Sequence, residues 1–210
     1  MPPRCILFDW DGTLHYASSF KFFVQNLVRF SCKGWLCERI FEILELIDYV
    51  IDRPRLFLSR EELRALSECY IIGIVTNRSK MFLESMLHRA RIPISTFGVI
   101  GAIRGLWNTW HDASLPWIQI ETKPTPFWPL FHSFFEREGL FPQDVLYVGD
   151  DPVDYFAVKE SGCRFAAIAR NAAQRDAFRE GGVSEKHIFS TIHDALAFFG
   201  VRFSCKKAPL

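Results

Sequence analysis

The sequence lacks long apolar runs, blocks of like charge and internal repeats. Its most apolar stretch, residues 40–51, is interrupted by three acidic residues and is too short to span a lipid bilayer. The first apolar run, residues 5–8, ends at Asp9 and does not have the pattern of a secretory signal peptide. We therefore expect a soluble, cytoplasmic protein that has no membrane partner.

Neither the charge nor the cysteine content indicates a special class of protein. The 210 residues carry a formal net charge of +1 without a long basic block, which argues against a nucleic-acid partner. The six cysteines are scattered, and only Cys32 and Cys37 are close together, so the sequence completes no zinc-site pattern. We expect the cysteines to be reduced, in keeping with the cytoplasm.

Short apolar runs of strand length alternate with longer helical patterns along most of the chain. Runs that are apolar on both faces and separated by helices are typical of a parallel sheet covered on both sides. A chain of this length allows one domain with a small insertion. The predicted fold class is α/β, with a three-layer, doubly wound parallel sheet. The predicted strands are residues 4–8, 71–75, 97–101, 145–148 and 164–168.

Capping residues indicate where several helices begin. Ser59, with Glu62 three residues later, forms a capping-box pattern that opens a helix to about Cys69. Another helix is predicted from Ser79 to about Arg89. The remaining predicted helices cover residues 126–138, 154–161 and a region around 176–178.

Residues 15–58 depart from this alternation of strands and helices. They contain two amphipathic helical patterns, at 18–30 and 35–51, whose apolar stripes are first of all packing surfaces. We expect this segment to be a small helical cap, inserted into a core domain made of residues 1–14 and 59–210.

Two other features have both a functional and a structural interpretation. Residues 104–122 are rich in tryptophan, and a loop held by its own aromatic side chains is favoured over a substrate flap or a docking patch. His15 and Tyr16 could line the entry to a site, but packing at the hinge of the cap is favoured.

Polar residues follow the carboxyl ends of several predicted strands. Because these ends meet at one edge of a parallel sheet, the residues are expected to converge there. Each alone has an ordinary explanation as a turn former, a helix cap or a solvated side chain. One shared site explains all of them together. The residues that follow strands are Asp9, Asp11, Thr76, Asn77, Asp150, Asp151 and Asp154, and Lys123 joins them from a loop ahead of a predicted helix.

The order of these residues resembles the motifs of the haloacid dehalogenase (HAD) superfamily, and within it the helical-cap phosphatases of phosphoglycolate phosphatase type. The stretch "DWDGT" resembles the first motif, "VTN" the second, Lys123 the third and "VGDDPVD" the fourth. The resemblance covers residues 4 to about 170. The family usually has Leu or Phe where this chain has Trp10, a side chain that we expect to be buried.

The resemblance implies phosphoryl transfer through a covalent intermediate. Asp9 would be the nucleophile that forms an aspartyl-phosphate, and Asp11 would protonate the leaving group and then activate water. Mg²⁺ would be the cofactor, held by the carboxylates of Asp9 and Asp150 and the backbone carbonyl of Asp11. Either Asp151 or Asp154 would support that ligand set.

The resemblance also implies positive charge and hydrogen-bond donors around the phosphate. Lys123 would be a catalytic cation that binds the phosphoryl oxygens together with Thr76, Asn77 and backbone amides. Dehalogenases and phosphonatases of the superfamily lack the second aspartate of the first motif. Asp11 therefore favours the chemistry of phosphate esters.

The expected function is that of a Mg²⁺-dependent phosphatase for a small phosphorylated metabolite, acting as a monomer or homodimer. A phosphomutase or other phosphotransferase, or a protein phosphatase, would be an alternative of the same fold. A catalytically silent binding or scaffold protein is the alternative from another class, but such a protein would have no need of Asp11.

Overall fold

One sheet of parallel strands organises the protein. The computed structural model describes residues 1–15, 55–103, 117–120, 123, 125–126 and 128–204. Within these residues seven strands pair in the order β4-β3-β2-β1-β5-β6-β7, all parallel, which confirms the predicted fold class. The strands are β1 (Cys5–Phe8), β2 (Ile71–Ser79), β3 (Val99–Ile103), β4 (Trp117–Ile120), β5 (Val145–Gly149), β6 (Arg164–Ile168) and β7 (Ile188–Phe189).

Six α-helices are found in the described part of the chain. The capping box predicted at Ser59 is present, because its side chain accepts from the Glu62 backbone and the Glu62 side chain accepts from the Ser59 backbone. Ser79 also caps a helix as predicted. The helices are α1 (Arg60–Cys69), α2 (Lys80–Arg89), α3 (Trp128–Arg137), α4 (Pro152–Val158), α5 (Ala172–Glu180) and α6 (Ile192–Phe198).

The sheet separates two apolar layers, as expected for a three-layer fold. Successive side chains of a strand point to opposite faces, so Ile6 and Phe8 of β1 join one layer while Cys5 and Leu7 join the other. Buried side chains of α1, α2 and α6 complete the first layer, and those of α3, α4 and α5 complete the second. Trp10 is fully buried in the first layer, as predicted.

Part of the segment predicted to be a loop is a strand. Trp117–Ile120 forms β4, which pairs with β3 in the register Ile100 to Trp117, so the loop prediction for residues 104–122 is wrong there. The strand is only four residues long and lies at the edge of the sheet. The sequence reading also missed β7, which has two residues, and the helix α6 that follows it.

The helices predicted for the cap lie outside the described residues, but both ends of that segment are defined. The Phe57 N–H donates to the Leu14 carbonyl at 2.9 Å, and His15 forms isolated β-bridges with Asp11 and Leu56. His15 is buried and stacks on Trp10, with 5.4 Å between ring centroids. The chain therefore leaves and re-enters the core at adjacent points beside β1.

The cysteines do not all match the expectation of reduced thiols. Cys5 and Cys163 are free, and burial raises the pKa of the Cys163 thiol to about 12. Cys69, the last residue of α1, is disulfide-bonded, so the expectation is wrong at that position.

The described helices include none that combines the length and the apolar composition needed to cross a membrane. The cytoplasmic location and the absence of a nucleic-acid partner stay predictions.

Candidate active site

The site lies at the carboxyl ends of the three central strands. Asp9 comes directly after β1 in the middle of the sheet, and its backbone N–H donates to the Val148 carbonyl of β5 at 2.9 Å. This bond fixes the backbone at Asp9 next to the end of β5. The Asp9 side chain is 9% exposed. A carboxylate is thus held at the centre of the edge where parallel sheets bind ligands.

Lys123 links this carboxylate to the next strands. Its Nζ donates to Asp9 Oδ1 at 2.6 Å, to the Tyr147 hydroxyl at 3.1 Å and to the Val75 carbonyl at 3.3 Å, and it also pairs with Asp154 Oδ1. Burial alone would lower the pKa of Lys123, but the carboxylates of Asp154 and Asp9 outweigh it and hold the pKa well above its usual value. Lys123 is therefore a buried permanent cation.

Three carboxylates form an acidic cluster beside this lysine. Oxygens of Asp9, Asp150 and Asp154 lie within 4.8 Å of one another. Asp150 Oδ1 accepts from the Thr13 hydroxyl at 3.3 Å, and Asp150 Oδ2 lies 3.8 Å from an amino nitrogen of Arg170. The cluster offers hard oxygen donors and no sulfur or imidazole, a ligand set that suits a hard divalent cation such as Mg²⁺, Mn²⁺ or Ca²⁺.

The two acidic residues proposed to support this cluster have different environments. Asp154 is buried: its Oδ1 accepts from Lys123 and Tyr147, and its Oδ2 accepts from the Asp151 N–H at 3.2 Å. Asp151 is exposed and caps α4 by accepting from the Val153 N–H at 2.9 Å. Asp154 therefore lies in the cluster, whereas Asp151 holds the start of the helix that carries it.

The Asp11 carboxylate is turned toward β2. It accepts from Arg78 Nε at 2.6 Å and from an Arg78 amino group at 3.3 Å, and its side chain is 8% exposed. His15 Nδ1 lies 3.8 Å from the same carboxylate. Asp11 is not one of the three carboxylates in the cluster, and its role as a metal ligand through the backbone carbonyl stays a prediction.

The two residues predicted to bind phosphate at the end of β2 organise their neighbours. The Thr76 hydroxyl accepts from the Arg78 backbone N–H at 3.1 Å and is fully buried. Asn77 Oδ1 accepts from the Lys123 backbone N–H at 2.9 Å, which fixes the position of Lys123 next to β2. Their contacts with phosphate stay predictions.

The sequence reading missed four residues of this site: Thr13, Arg78, Tyr147 and Arg170. Thr13 and Arg78 lie inside or directly after the quoted motifs, so their position along the chain could have identified them. Tyr147 is a polar residue in the apolar strand β5, and that mismatch is a detectable pattern. Arg170 follows β6 and reaches Asp150 only through the order of the strands.

Gly12 is required by the close approach of Asp150. It has φ +80°, and a Cβ built there would overlap the Asp150 carboxylate. Gly139 also has a positive φ, +59°, but there no atom lies within 4 Å of the added Cβ. We expect Gly139→Ala to lower the free energy of unfolding by about 1 kcal/mol through backbone strain, and Gly12→Ala by about 1–3 kcal/mol more through the overlap.

Urea unfolding of the two variants measures this difference. Because both positions have the left-handed conformation, Gly139→Ala is the control for strain alone. Equal losses in the two variants would show that Asp150 moves aside freely and that Gly12 does not fix its position.

Solved structures of similar fold come from several organisms. A predicted phosphoglycolate phosphatase from Haemophilus somnus is 22% identical with a TM-score of 0.58, covering 93% of this chain and 97% of that one. A haloacid dehalogenase-like family hydrolase from Streptococcus pneumoniae is 17% identical with a TM-score of 0.56, covering 94% and 98%. A Thermotoga maritima protein assigned by prediction as a beta-phosphoglucomutase is 15% identical with a TM-score of 0.62, covering 94% and 98%.

These likenesses establish the fold. No protein-family model matches the sequence, and neither does any curated protein. The chain has the fold of the HAD-superfamily hydrolases over nearly its whole length, in agreement with the resemblance of its motifs. Because one fold can support several activities, the function has to be argued from the site.

Proposed function

We propose that the protein is a Mg²⁺-dependent phosphatase that hydrolyses a small phosphomonoester through an aspartyl-phosphate on Asp9. The observation that carries the proposal is the position of Asp9 at the end of the central strand, 2.6 Å from the Lys123 ammonium and next to Asp150 and Asp154. A buried carboxylate that contacts a fixed cation and is grouped with two further oxygen donors suits attack on an anionic phosphoryl group.

The reaction has two steps on the residues of this chain. A carboxylate oxygen of Asp9 forms a bond to phosphorus as the bond to the ester oxygen breaks, and Asp11 gives a proton to the departing alkoxide. In the second step Asp11 takes a proton from water, whose oxygen forms a bond to phosphorus and releases Asp9. The products are an alcohol and inorganic phosphate.

The cluster supplies ligands for a metal ion. Asp9 and Asp150 would hold Mg²⁺, whereas both oxygens of Asp154 already accept hydrogen bonds from the protein and fix the cluster. When bound, Mg²⁺ supplies positive charge that offsets the repulsion between the nucleophile and the phosphoryl oxygens. Lys123 contributes a second cation, because its ammonium donates to Asp9 Oδ1.

Water as the acceptor distinguishes a phosphatase from a phosphomutase of the same fold. A mutase returns the phosphoryl group to a sugar hydroxyl, while a phosphatase releases inorganic phosphate. The fold is shared by a protein assigned as a phosphomutase as well as by one assigned as a phosphatase. Release of phosphate is therefore the property to measure.

Removal of the metal tests the proposal directly. We expect the purified protein to hydrolyse 4-nitrophenyl phosphate with Mg²⁺, to lose this activity in EDTA, and to regain it when excess Mg²⁺ is added. The physical reason is that without the ion the phosphate would meet three carboxylates that share one buried ammonium, so the site would repel its negative charge. Release of 4-nitrophenol and of phosphate in equal amounts would be measured by absorbance.

The control is Asp176→Asn, which removes an exposed carboxylate of α5 that the structure places outside the cluster. It should keep full activity. Turnover that continues unchanged in EDTA would contradict the metal dependence. Absence of turnover by the folded protein, with Mg²⁺ bound and across a panel of phosphorylated metabolites, would contradict the enzyme assignment and favour the binding or scaffold alternative.

A further inference from the structure

The ion pair between Arg78 and Asp11 has no role in the chemistry described so far. Arg78 donates two hydrogen bonds to the Asp11 carboxylate, from Nε at 2.6 Å and from an amino group at 3.3 Å. The two side chains are 7% and 8% exposed. A two-bond contact from a planar guanidinium fixes the orientation of a carboxylate as well as its position.

The arginine is itself held in place. Its guanidinium carbon lies 4.5 Å from the centroid of the Phe82 ring, and its backbone N–H donates to the Thr76 hydroxyl. The pairing of β2 with β3 shifts register between Thr76 and Ser79, so Arg78 lies in an irregular part of the strand. Such irregularities redirect side chains at the edges of sheets, and here the side chain reaches the turn after β1.

A second buried side chain, His15, lies near the carboxylate. His15 Nδ1 lies 3.8 Å from Asp11 Oδ1, and the His15 ring stacks nearly parallel on the buried Trp10, at an interplanar angle of 3°. The Asp11 carboxylate therefore has a guanidinium bonded to it and a stacked imidazole near Oδ1. Rotation of Asp11 would break the two hydrogen bonds from Arg78.

We infer that Arg78 is the positioning residue for Asp11, holding its carboxylate in the orientation from which it exchanges protons with the ester oxygen and water. The inference rests on the proposed function, because it assigns Arg78 a role in that reaction. A general acid or base contributes only when its heavy atom is within hydrogen-bond reach of the reacting oxygen. Arg78 acts through Asp11 and touches no reacting atom itself.

A positioning role for Arg78 predicts an effect on reaction rates that a purely structural ion pair would not have. Proton donation matters most when the leaving group is a poor one, so loss of Asp11 orientation should penalise phenyl phosphate more than 4-nitrophenyl phosphate. The two substrates differ by one nitro group on the leaving group, and both transfer the same phosphoryl group to the protein. A general loosening of the site would slow both to the same extent.

The experiment compares kcat/KM, which reports the step in which the leaving group departs, on both aryl phosphates for the wild type, Arg78→Met, Arg78→Lys, Asp11→Asn and the double variant Asp11→Asn/Arg78→Met. We expect Arg78→Met to lower kcat/KM for phenyl phosphate about 10²-fold and for 4-nitrophenyl phosphate less than about tenfold. Arg78→Lys, which keeps the charge but not the two-bond geometry, should fall between. Once Asp11 is gone, removing Arg78 should cost little more, because both act through one carboxylate.

Arg137→Met is the control, since Arg137 is exposed at the end of α3 and should leave both rates unchanged. Thermal unfolding would be recorded for each variant. If Arg78→Met does not fold, the rates of Arg78→Lys on the two substrates are compared with those of the wild type instead. Equal losses on both substrates, additive losses in the double variant, or faster turnover without Arg78 would each overturn the inference. A wild type inactive on both substrates would instead count against the proposed function.

Discussion

Asp9→Asn is expected to abolish turnover while leaving the protein folded. The amide has the shape of the carboxylate but cannot attack phosphorus to form the acyl phosphate. Loss of a catalytic nucleophile should lower kcat by about 10⁴-fold or more. The measurement is the rate of 4-nitrophenyl phosphate hydrolysis in saturating Mg²⁺, with circular dichroism to establish that the variant is folded.

Asp176→Asn again provides the matched control, because it makes the same chemical change at an exposed position. Rapid acid quenching of the wild type during turnover, followed by reduction with borohydride and peptide mass spectrometry, would locate the intermediate at Asp9. Substantial activity in Asp9→Asn would show that another group is the nucleophile, and the proposed mechanism would have to be abandoned.

Lys123→Met should produce the largest loss of stability among the substitutions discussed. The ammonium is buried against Asp9 and Asp154, with side-chain exposures of 3%, 9% and 2% for the three residues. Methionine preserves much of the volume but leaves two buried carboxylates facing each other without a cation. Removing one partner of a buried ion pair costs about 3–5 kcal/mol, to be measured as the free energy of unfolding in urea.

A second substitution separates this electrostatic cost from a packing defect. Lys123→Met/Asp154→Asn removes one of the two uncompensated charges and should recover part of the lost stability without restoring turnover. Lys159→Met at an exposed position should change stability by no more than about 0.5 kcal/mol. A double variant no more stable than Lys123→Met would attribute the loss to packing.

Much of the fold could be predicted because its pattern is local. The buried strands β1, β2, β5 and β6 are apolar on both faces, and capping residues such as Ser59 and Ser79 fix where helices begin. The edge strands could not be read in this way. β4 pairs along one side only, and the two residues of β7 are too few to show a period.

The candidate site shows the same division between local and long-range information. The positions of Asp9 and Asp150 follow from the rule that the carboxyl ends of parallel strands meet. The contacts that set the charge and orientation of each side chain do not follow from this rule, because they join residues far apart in the chain. The Tyr147 hydroxyl accepts from Lys123 across a separation of 24 positions in the chain, and Arg78 reaches Asp11 through an irregularity in β2 that no periodicity indicates.

The central place of β1 also has a consequence for how the chain acquires its structure. Cys5 of β1 pairs with Ile71 on one side and with Val145 on the other, so β1 must wait until β5, far later in the chain, has been synthesised before both of its edges are covered. Pairings between residues so distant in sequence make folding slow and leave strand edges open to other chains. During translation, the β1 edge that later pairs with β5 is therefore open to other chains until β5 has emerged.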